Sequence, residues 1–104
     1  PSLSSKDIDS FPNDYLIHQN YPNPFNPVTT LRYDLPEDSN VRIIIYDLMG
    51  HKIRTLIDMD LAAGYKSVQW NATNDAGASV SAGLYFYTIQ AGKFNKTNKM
   101  VLLK

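Results

Sequence analysis

Apolar and polar residues alternate along most of the chain, which is typical of β-strands with one buried face. In residues 41–46, Val41, Ile43 and Ile45 fall on the same side of an extended chain. Residues 84–90 are apolar on both sides, which predicts a strand in the middle of a sheet. No window shows the 3.6-residue apolar period of a helix. Further strands are predicted at residues 31–35, 52–56, 66–70, around Val80 and at 96–103.

Turn-forming residues separate these segments. Predicted turns and hairpin loops lie at residues 37–40, 47–50, 71–77 and 91–93. In one of these loops Gly50 is expected to supply a positive φ. Residues 58–64 are expected to form a longer loop with at most one helical turn. Short strands joined in this way predict an all-β fold, an antiparallel β-sandwich of about seven strands.

Two aromatic positions refine this prediction. Trp70 shares one face of its strand with Val68 and is the expected centre of the core. Tyr85 lies two residues before the predicted core residue Tyr87 on a late strand. That spacing is typical of the tyrosine corner of immunoglobulin-like Greek keys. We therefore expect an immunoglobulin-like Greek-key β-sandwich in which both residues serve packing.

The N-terminal part has a different composition. Residues 1–11 are polar and aperiodic and are interpreted as a linker, so that residues 12–104 form the folded domain. The chain lacks an initiator methionine, and we expect it to be a piece of a larger protein. Three prolines in residues 21–27 exclude a helix or a central strand there. This segment is expected to be an extended entry whose Tyr21 and Phe25 pack on the sandwich.

Composition limits what the chain can do. Its 104 residues are 43% hydrophobic, which is enough for one domain with its own core. Ten basic and ten acidic residues give no net charge, so nothing attracts the whole chain to nucleic acid. The absence of cysteine excludes disulfides and thiolate zinc sites. No apolar run is long enough to span a bilayer.

The charges are nevertheless segregated along the chain. All ten acidic residues and six of the basic ones lie in residues 1–75. Residues 76–104 contain four lysines and no acid. Lysines on a terminal strand can protect a sheet edge from aggregation. They can also form a basic docking surface, and both interpretations remain open at this point.

Candidate catalytic chemistry is sparse. There is no Gly-x-Ser-x-Gly motif, no phosphate-binding glycine loop and no cysteine nucleophile. The acid pairs Glu37–Asp38 and Asp58–Asp60 fall in predicted loops, where solvated carboxylates are common. Residues 71–77 superficially resemble a calcium loop but lack its glycine and its bidentate glutamate. We expect a non-enzyme without a cofactor or metal.

Four blocks, in order, resemble one family. They are residues 19–33 (Gln-Asn-Tyr-Pro-Asn-Pro-Phe-Asn-Pro-Val-Thr-Thr-Leu-Arg-Tyr), 35–50, 64–87 and 98–104 (Asn-Lys-Met-Val-Leu-Leu-Lys). The motif positions that they contain are Tyr21, Pro22, Asn23, Pro24, Phe25, Gly50, Trp70, Gly83 and Tyr85. These blocks resemble the C-terminal sorting domain of type IX secretion (the Por secretion system). They are equally similar to the related immunoglobulin-like module named after the flagellar hook-capping protein.

The resemblance implies a role in protein targeting rather than a catalytic activity. Such domains direct exported proteins of Bacteroidetes-like bacteria through the periplasm and the outer-membrane type IX translocon to the cell surface or the medium. The implied partners are that translocon, its sortase-like peptidase and an upstream cargo domain in the same chain. The implied recognition residues are Lys99, Met100, Val101, Leu102, Leu103 and Lys104. A receptor could read their shape and charge or pair with their strand.

Two other functions remain open. The domain could be an accessory binding module of an extracellular enzyme, for example one that stacks sugars on exposed aromatic rings. Tyr15, Tyr21, Phe25 and Tyr65 lie outside the strong strands and are the candidates. It could also have a structural role like that of the hook-capping module.

Overall fold

The strands are connected by short turns along the whole described chain. A computed structural model describes residues 11–103, and these contain seven β-strands and no helix. The predicted linker, apart from Phe11, and Lys104 lie outside the described residues. The strands are β1 (Leu16–Ile17), β2 (Thr29–Leu35), β3 (Ser39–Asp47), β4 (Lys52–Leu61), β5 (Gly64–Trp70), β6 (Gly83–Ala91) and β7 (Phe94–Leu102).

The strands form two antiparallel sheets. One has the order β1-β2-β5, and the other has the order β4-β3-β6-β7. Strands β3 and β6 are neighbours although two strands separate them in sequence, because the chain crosses to the first sheet for β5 and then returns. The predicted immunoglobulin-like Greek-key β-sandwich is therefore confirmed. The prediction that residues 84–90 form a central strand is confirmed as well, since β6 lies between β3 and β7.

The core lies between the inward faces of the two sheets. In β3, the β-branched residues Val41, Ile43 and Ile45 are fully buried, as their alternation predicted. In β2, Leu31 and Leu35 are fully buried in the same way. Inward-facing residues of β2, β5, β6 and β7, together with Phe25 from the segment before β2, complete this layer. The largest of these buried side chains are Trp70, Tyr33, Tyr87, Phe25, Ile89, Met100 and Leu102.

The predicted tyrosine corner is present at the start of β6. The Tyr85 hydroxyl donates a hydrogen bond of 2.6 Å to the carbonyl oxygen of Ser81, four residues upstream. The ring of Tyr85 meets Trp70 edge-on, with 5.3 Å between the ring centroids. Trp70 also donates from Nε1 to the Thr73 carbonyl oxygen over 2.8 Å. The corner thus ties the entry of β6 to the aromatic core.

Two local predictions are wrong. Residues 58–61 continue β4 instead of forming a loop, because Arg42 pairs with Asp58 and Asn40 with Asp60 across the strands. Because these cross-strand pairs are polar, this part of β4 has an amino-acid composition typical of a loop. Val80 lies outside the strands, although its amide donates to the Ala72 carbonyl oxygen. An isolated bridge between Thr73 and Ser79 is the β-structure formed there.

Buried tyrosines predict a loss of stability at alkaline pH. Burial raises the pKa of Tyr33, Tyr85 and Tyr87 above that of free tyrosine. Above about pH 10 the unfolded chain loses these phenolic protons while the native chain keeps them, so stability falls as the pH rises. Each tyrosine that stays protonated contributes up to about 1.4 kcal/mol per pH unit.

Urea unfolding between pH 8 and pH 11.5, with absorbance at 295 nm as the readout of tyrosine ionisation, checks this. We expect unfolding and ionisation of the buried group of tyrosines to coincide. A flat stability profile over this range would contradict the prediction.

Candidate recognition surface on the last strand

Strand β7 divides the predicted recognition residues into two sets. Met100 and Leu102 point into the core and are 0% and 1% exposed. Lys99, Val101 and Leu103 alternate with them and point away from the core, where Lys99 is exposed, Val101 half-buried and Leu103 50% exposed. A partner of the folded domain can therefore contact the outward set alone, while the inward set holds the strand in place.

Residues 19–25 cover the outer edge of β7. The Val101 amide donates to Asn23 Oδ1 over 2.9 Å, and the Val101 carbonyl oxygen accepts from the Phe25 amide over 3.0 Å. The Leu103 amide donates to the Phe25 carbonyl oxygen over 2.8 Å, and Gln19 Nε2 donates to the Lys99 carbonyl oxygen over 2.9 Å. The outward backbone groups of this half of the edge are thus already paired.

The shape of residues 20–29 makes this cover possible. Asn20 donates from Nδ2 to the Pro22 carbonyl oxygen and to Thr29 Oγ1, and the Thr29 hydroxyl donates to the same carbonyl. Phe25 is 2% exposed, and its ring centroid lies 5.8 Å from that of Trp70. The prediction that Phe25 packs on the sandwich is confirmed. The same prediction for Tyr21 is wrong, since Tyr21 is 73% exposed on the outer face of the three-stranded sheet.

The other half of the β7 edge is protected from strand addition by a lysine side chain. Lys96 lies opposite the buried Ile89, so its side chain leaves β7 on the core-facing side, at the margin of the sandwich. A charge on the inner side of an edge strand opposes the addition of a further strand. The protective interpretation of this lysine is therefore favoured, and both halves of the β7 edge are unsuited to strand addition.

Neighbouring strands extend the outward set into a continuous surface. Lys99 lies opposite Phe86 of β6, and Val101 lies opposite Leu84. Leu84 and Phe86 are half-buried and face away from the core. We call Leu84, Phe86, Lys99, Val101 and Leu103 the β7 surface. Sequence reasoning missed the two β6 residues, although their apolar character on the second face of that strand was a signal for them.

The remaining motif residues make contacts that support the fold. Gly50 has a φ of 85° in the β3–β4 hairpin, a conformation that favours glycine. Gly83 starts β6 with a φ of 148° and pairs with Leu102 at the end of β7. Pro22, Asn23 and Pro24 are exposed and belong to the segment that covers the β7 edge. Together with Trp70 and Tyr85, these residues shape and support the surface rather than form it.

The acidic residues considered for catalysis make structural contacts. Glu37 Oε1 accepts from the Tyr15 hydroxyl, and Asp38 Oδ1 accepts from the Ala63 amide. Asp58 and Asp60 pair with β3, which places them on a strand rather than in a loop. Within residues 11–103, no three acidic, histidine or cysteine side chains converge as metal ligands would.

Residues 71–77 form a turn that uses its own oxygens. Asn74 Oδ1 accepts from the amides of Ala76 and Ala78, and the Asn74 carbonyl oxygen accepts from Gly77. Asp75 Oδ1 accepts from the Thr55 amide at the edge of β4. The interpretation of this segment as a turn is confirmed.

The aromatic candidates for sugar stacking do not form one row. Phe25 is in the core, and Tyr15 is half-buried, with its ring stacked on Phe94 at 5.6 Å. Tyr21 and Tyr65 are 73% and 60% exposed on the outer face of the three-stranded sheet. Tyr65 borders a groove of about 440 Å³ that is also lined by His18, Arg32, Asp34, Lys66 and Ser67. In that groove His18 Nε2 lies 3.0 Å from Asp34 Oδ1.

No helix among the described residues could cross a membrane.

Solved structures of other proteins share this fold. Dimeric latent PorU of Porphyromonas gingivalis is 20% identical with a TM-score of 0.66, over 84% of this chain and 9% of PorU. PorZ, described as an essential bacterial surface component of the type-IX secretion system of the same organism, is 20% identical with a TM-score of 0.59, over 99% of this chain and 13% of PorZ.

A third similar structure is the Pseudomonas fluorescens alkylpurine DNA glycosylase AlkC, bound to DNA containing an abasic site analogue. It is 16% identical with a TM-score of 0.53, over 86% of this chain and 30% of AlkC. At these identities the likeness shows the fold alone. The chain spans a small part of each of these proteins.

No curated protein matches the chain. A family model does match it: the FlgD Ig-like domain, over residues 26–94. This match covers more than half of the chain and ends where β7 begins. Two of the segments outside it, residues 19–25 and most of β7, bind each other along the β7 edge. The chain therefore belongs to the FlgD Ig-like domain family.

Proposed function

We propose that this domain is a non-catalytic sorting signal. It directs an exported bacterial protein through the outer-membrane type IX translocon to the cell surface or the medium. The observation that carries the proposal is the β7 surface, where Lys99, Val101 and Leu103 of the family-like end block are displayed outward on a rigid strand. The likeness of the fold to part of PorZ, a type-IX component, is consistent with this role.

Recognition would use side chains rather than strand pairing. Four outward backbone groups of residues 99–103 are hydrogen-bonded to residues 19–25, and Lys96 protects the adjoining part of the edge. A strand-adding receptor would first have to break these hydrogen bonds. A receptor that reads the outward face meets Lys99, Val101 and Leu103 already in position, so it orders little on binding.

The proposed partners follow from the same role. They are the translocon, a sortase-like peptidase that would remove or exchange the domain, and a cargo domain in the same chain.

The test is an export assay with paired variants. The whole chain, residues 1–104, is fused behind a fluorescent reporter with a periplasmic signal peptide, in a bacterium with a working type IX system. The surface variant carries Lys99→Glu, Val101→Ser and Leu103→Ser. The matched control carries Arg32→Glu, Tyr65→Ser and Leu16→Ser, one basic and two apolar exposed residues of the three-stranded sheet.

We expect the wild type and the control variant to reach the medium or the cell surface, and the surface variant to stay in the periplasm. Melting curves of the purified domains must agree to within a few degrees, so that misfolding does not explain the loss. Export of the surface variant at the wild-type level would refute recognition through β7. Retention of a folded wild type would refute the sorting function.

A second candidate function is a binding module for polysaccharide. The observation that favours it is the groove beside Tyr65, where an exposed ring, the Arg32 guanidinium and the Asp34 carboxylate are adjacent. The export assay separates the two functions, because a sugar-binding module would leave the folded wild type in the periplasm.

A further inference from the structure

The β3–β4 hairpin exposes two apolar side chains at its tip. Met49 is 79% exposed, more than any other large apolar side chain in residues 11–103, and Leu48 is 64% exposed. Display of two adjacent apolar side chains in water is unfavourable, and such patches mark interaction sites when they join a larger apolar surface.

The tip is held in a defined shape. Asp47 Oδ1 accepts from the amides of Met49 and His51, each over 2.9 Å, and Asp47 Oδ2 lies 3.2 Å from His51 Nδ1. The Gly50 amide donates to the Asp47 carbonyl oxygen, and the Asp47 amide donates to that of His51. Backbone hydrogen bonds from His51 lower the pKa of Asp47, so its carboxylate stays charged and keeps accepting these bonds.

The sheet register places the tip beside the β7 surface. Asp47 pairs with Tyr85, and Tyr85 pairs with Met100, so the tip leaves the sheet at the end where Leu103 does. Two strand spacings of about 4.8 Å separate β3 from β7, so the backbones of these two strands lie about 10 Å apart. On the outer face Tyr46 of β3 lies opposite Phe86 of the β7 surface, so β3 carries an aromatic side chain next to that surface.

The charges around this area are mainly basic. Lys52 lies opposite Tyr46, and Lys99 lies opposite Phe86, so a lysine stands on each side of the aromatic pair. Asp47 lies opposite Tyr85 and therefore on the core-facing side of β3, and Asp75 accepts from the Thr55 amide at the free edge of β4, so neither acid lies between the two lysines. The combined area is thus apolar in its centre and basic at its margins.

We propose that Leu48 and Met49 form one docking surface with the β7 surface, and that its occupant is a protein receptor with an apolar groove rimmed by aspartate or glutamate. This inference rests on the proposed sorting function. A lipid surface is a poorer match, because two lysines contribute only about 1 kcal/mol each to binding of an anionic bilayer. An enclosing protein groove could bury the apolar tip while carboxylates at its rim pair with both lysines.

The test uses the export assay with the loop variant Leu48→Ser/Met49→Ser. We expect at least a tenfold drop in the exported fraction at an unchanged melting temperature. The matched control is Leu16→Ser/Met59→Ser, which removes two exposed apolar side chains, 47% and 53% exposed, on β1 and on the opposite half of β4. It should export like the wild type. The conservative variant Leu48→Met/Met49→Leu keeps an apolar tip and should restore export.

Four other outcomes would each contradict one part of this proposal. Wild-type export by the folded loop variant, while the β7 surface variant is retained, overturns the role of the hairpin tip and leaves the sorting function standing. Retention of the folded wild type overturns the sorting function and this inference with it. Binding of the domain to phosphatidylglycerol vesicles that is lost in the loop variant overturns the protein receptor in favour of a lipid surface. A dimer in sedimentation that dissociates in the loop variant overturns it in favour of a second copy.

Discussion

Deletion of residues 95–104 is expected to unfold the domain. Strand β7 pairs with β6 along its whole length, and Met100 and Leu102 are fully buried. Removing a buried side chain of this size typically costs about 2–5 kcal/mol, while an entire domain is stable by about 5–15 kcal/mol. Losing two such side chains together with the edge strand of a sheet is therefore expected to remove most of the free energy of unfolding.

Far-UV circular dichroism and amide spectra by NMR check this result. The truncated chain should lose its cooperative melt and the dispersion of its amide signals. The triple variant Lys99→Glu, Val101→Ser, Leu103→Ser should keep both, because its changes lie on the outward face. A cooperative melt of the truncated chain near the wild-type temperature would contradict the prediction. If the prediction holds, a truncated chain that is not exported has lost its fold as well as its sorting signal. The outward-facing substitutions, which keep the fold, are then the proper test of sorting.

Trp70→Ala is expected to cost about 3–5 kcal/mol of unfolding free energy. Trp70 is 1% exposed and contacts the rings of Phe25 and Tyr85. Its removal leaves a cavity at the point where the cover of the β7 edge and the tyrosine corner meet. We therefore expect the loss to weaken both contacts together.

Urea unfolding followed by circular dichroism measures this cost, since Trp70 is the single tryptophan and its fluorescence is lost in the variant. Trp70→Phe is the matched control. It keeps an aromatic ring but lacks the hydrogen bond to the Thr73 carbonyl oxygen, so its cost should be about 1–3 kcal/mol from the unsatisfied carbonyl and the smaller ring. A cost below 1 kcal/mol for Trp70→Ala would show that Trp70 is not the centre of the core.

Alternation alone predicted most of the strands, but it could not predict how polar strands pair. Residues 58–61 contain Asp58 and Asp60, which have low strand propensity. They extend β4 because Arg42 and Asn40 lie opposite them on β3. Around Val80 the opposite error occurred, since an apolar residue between small ones has no partner strand to pair with in the structure. In both cases the long-range partner decided the local conformation.

The candidate site was predicted in part. The end block identified Lys99 to Lys104 as one set, and the structure divided it by placing Met100 and Leu102 in the core. The contribution of Leu84, Phe86, Leu48 and Met49 required the register between β3, β6 and β7. Residues far apart in sequence become neighbours only when that register is known.

The sequence by itself determined an all-β chain, an immunoglobulin-like sandwich, the core positions of β3 and the tyrosine corner. These depend on local periodicity and short spacings, which a linear pattern contains. Only the tertiary structure decided that residues 19–25 cover the β7 edge and that the hairpin tip lies beside the β7 surface. Both follow from backbone pairing between segments more than thirty residues apart, which arises because backbone donors and acceptors of a strand must find partners wherever the fold brings them.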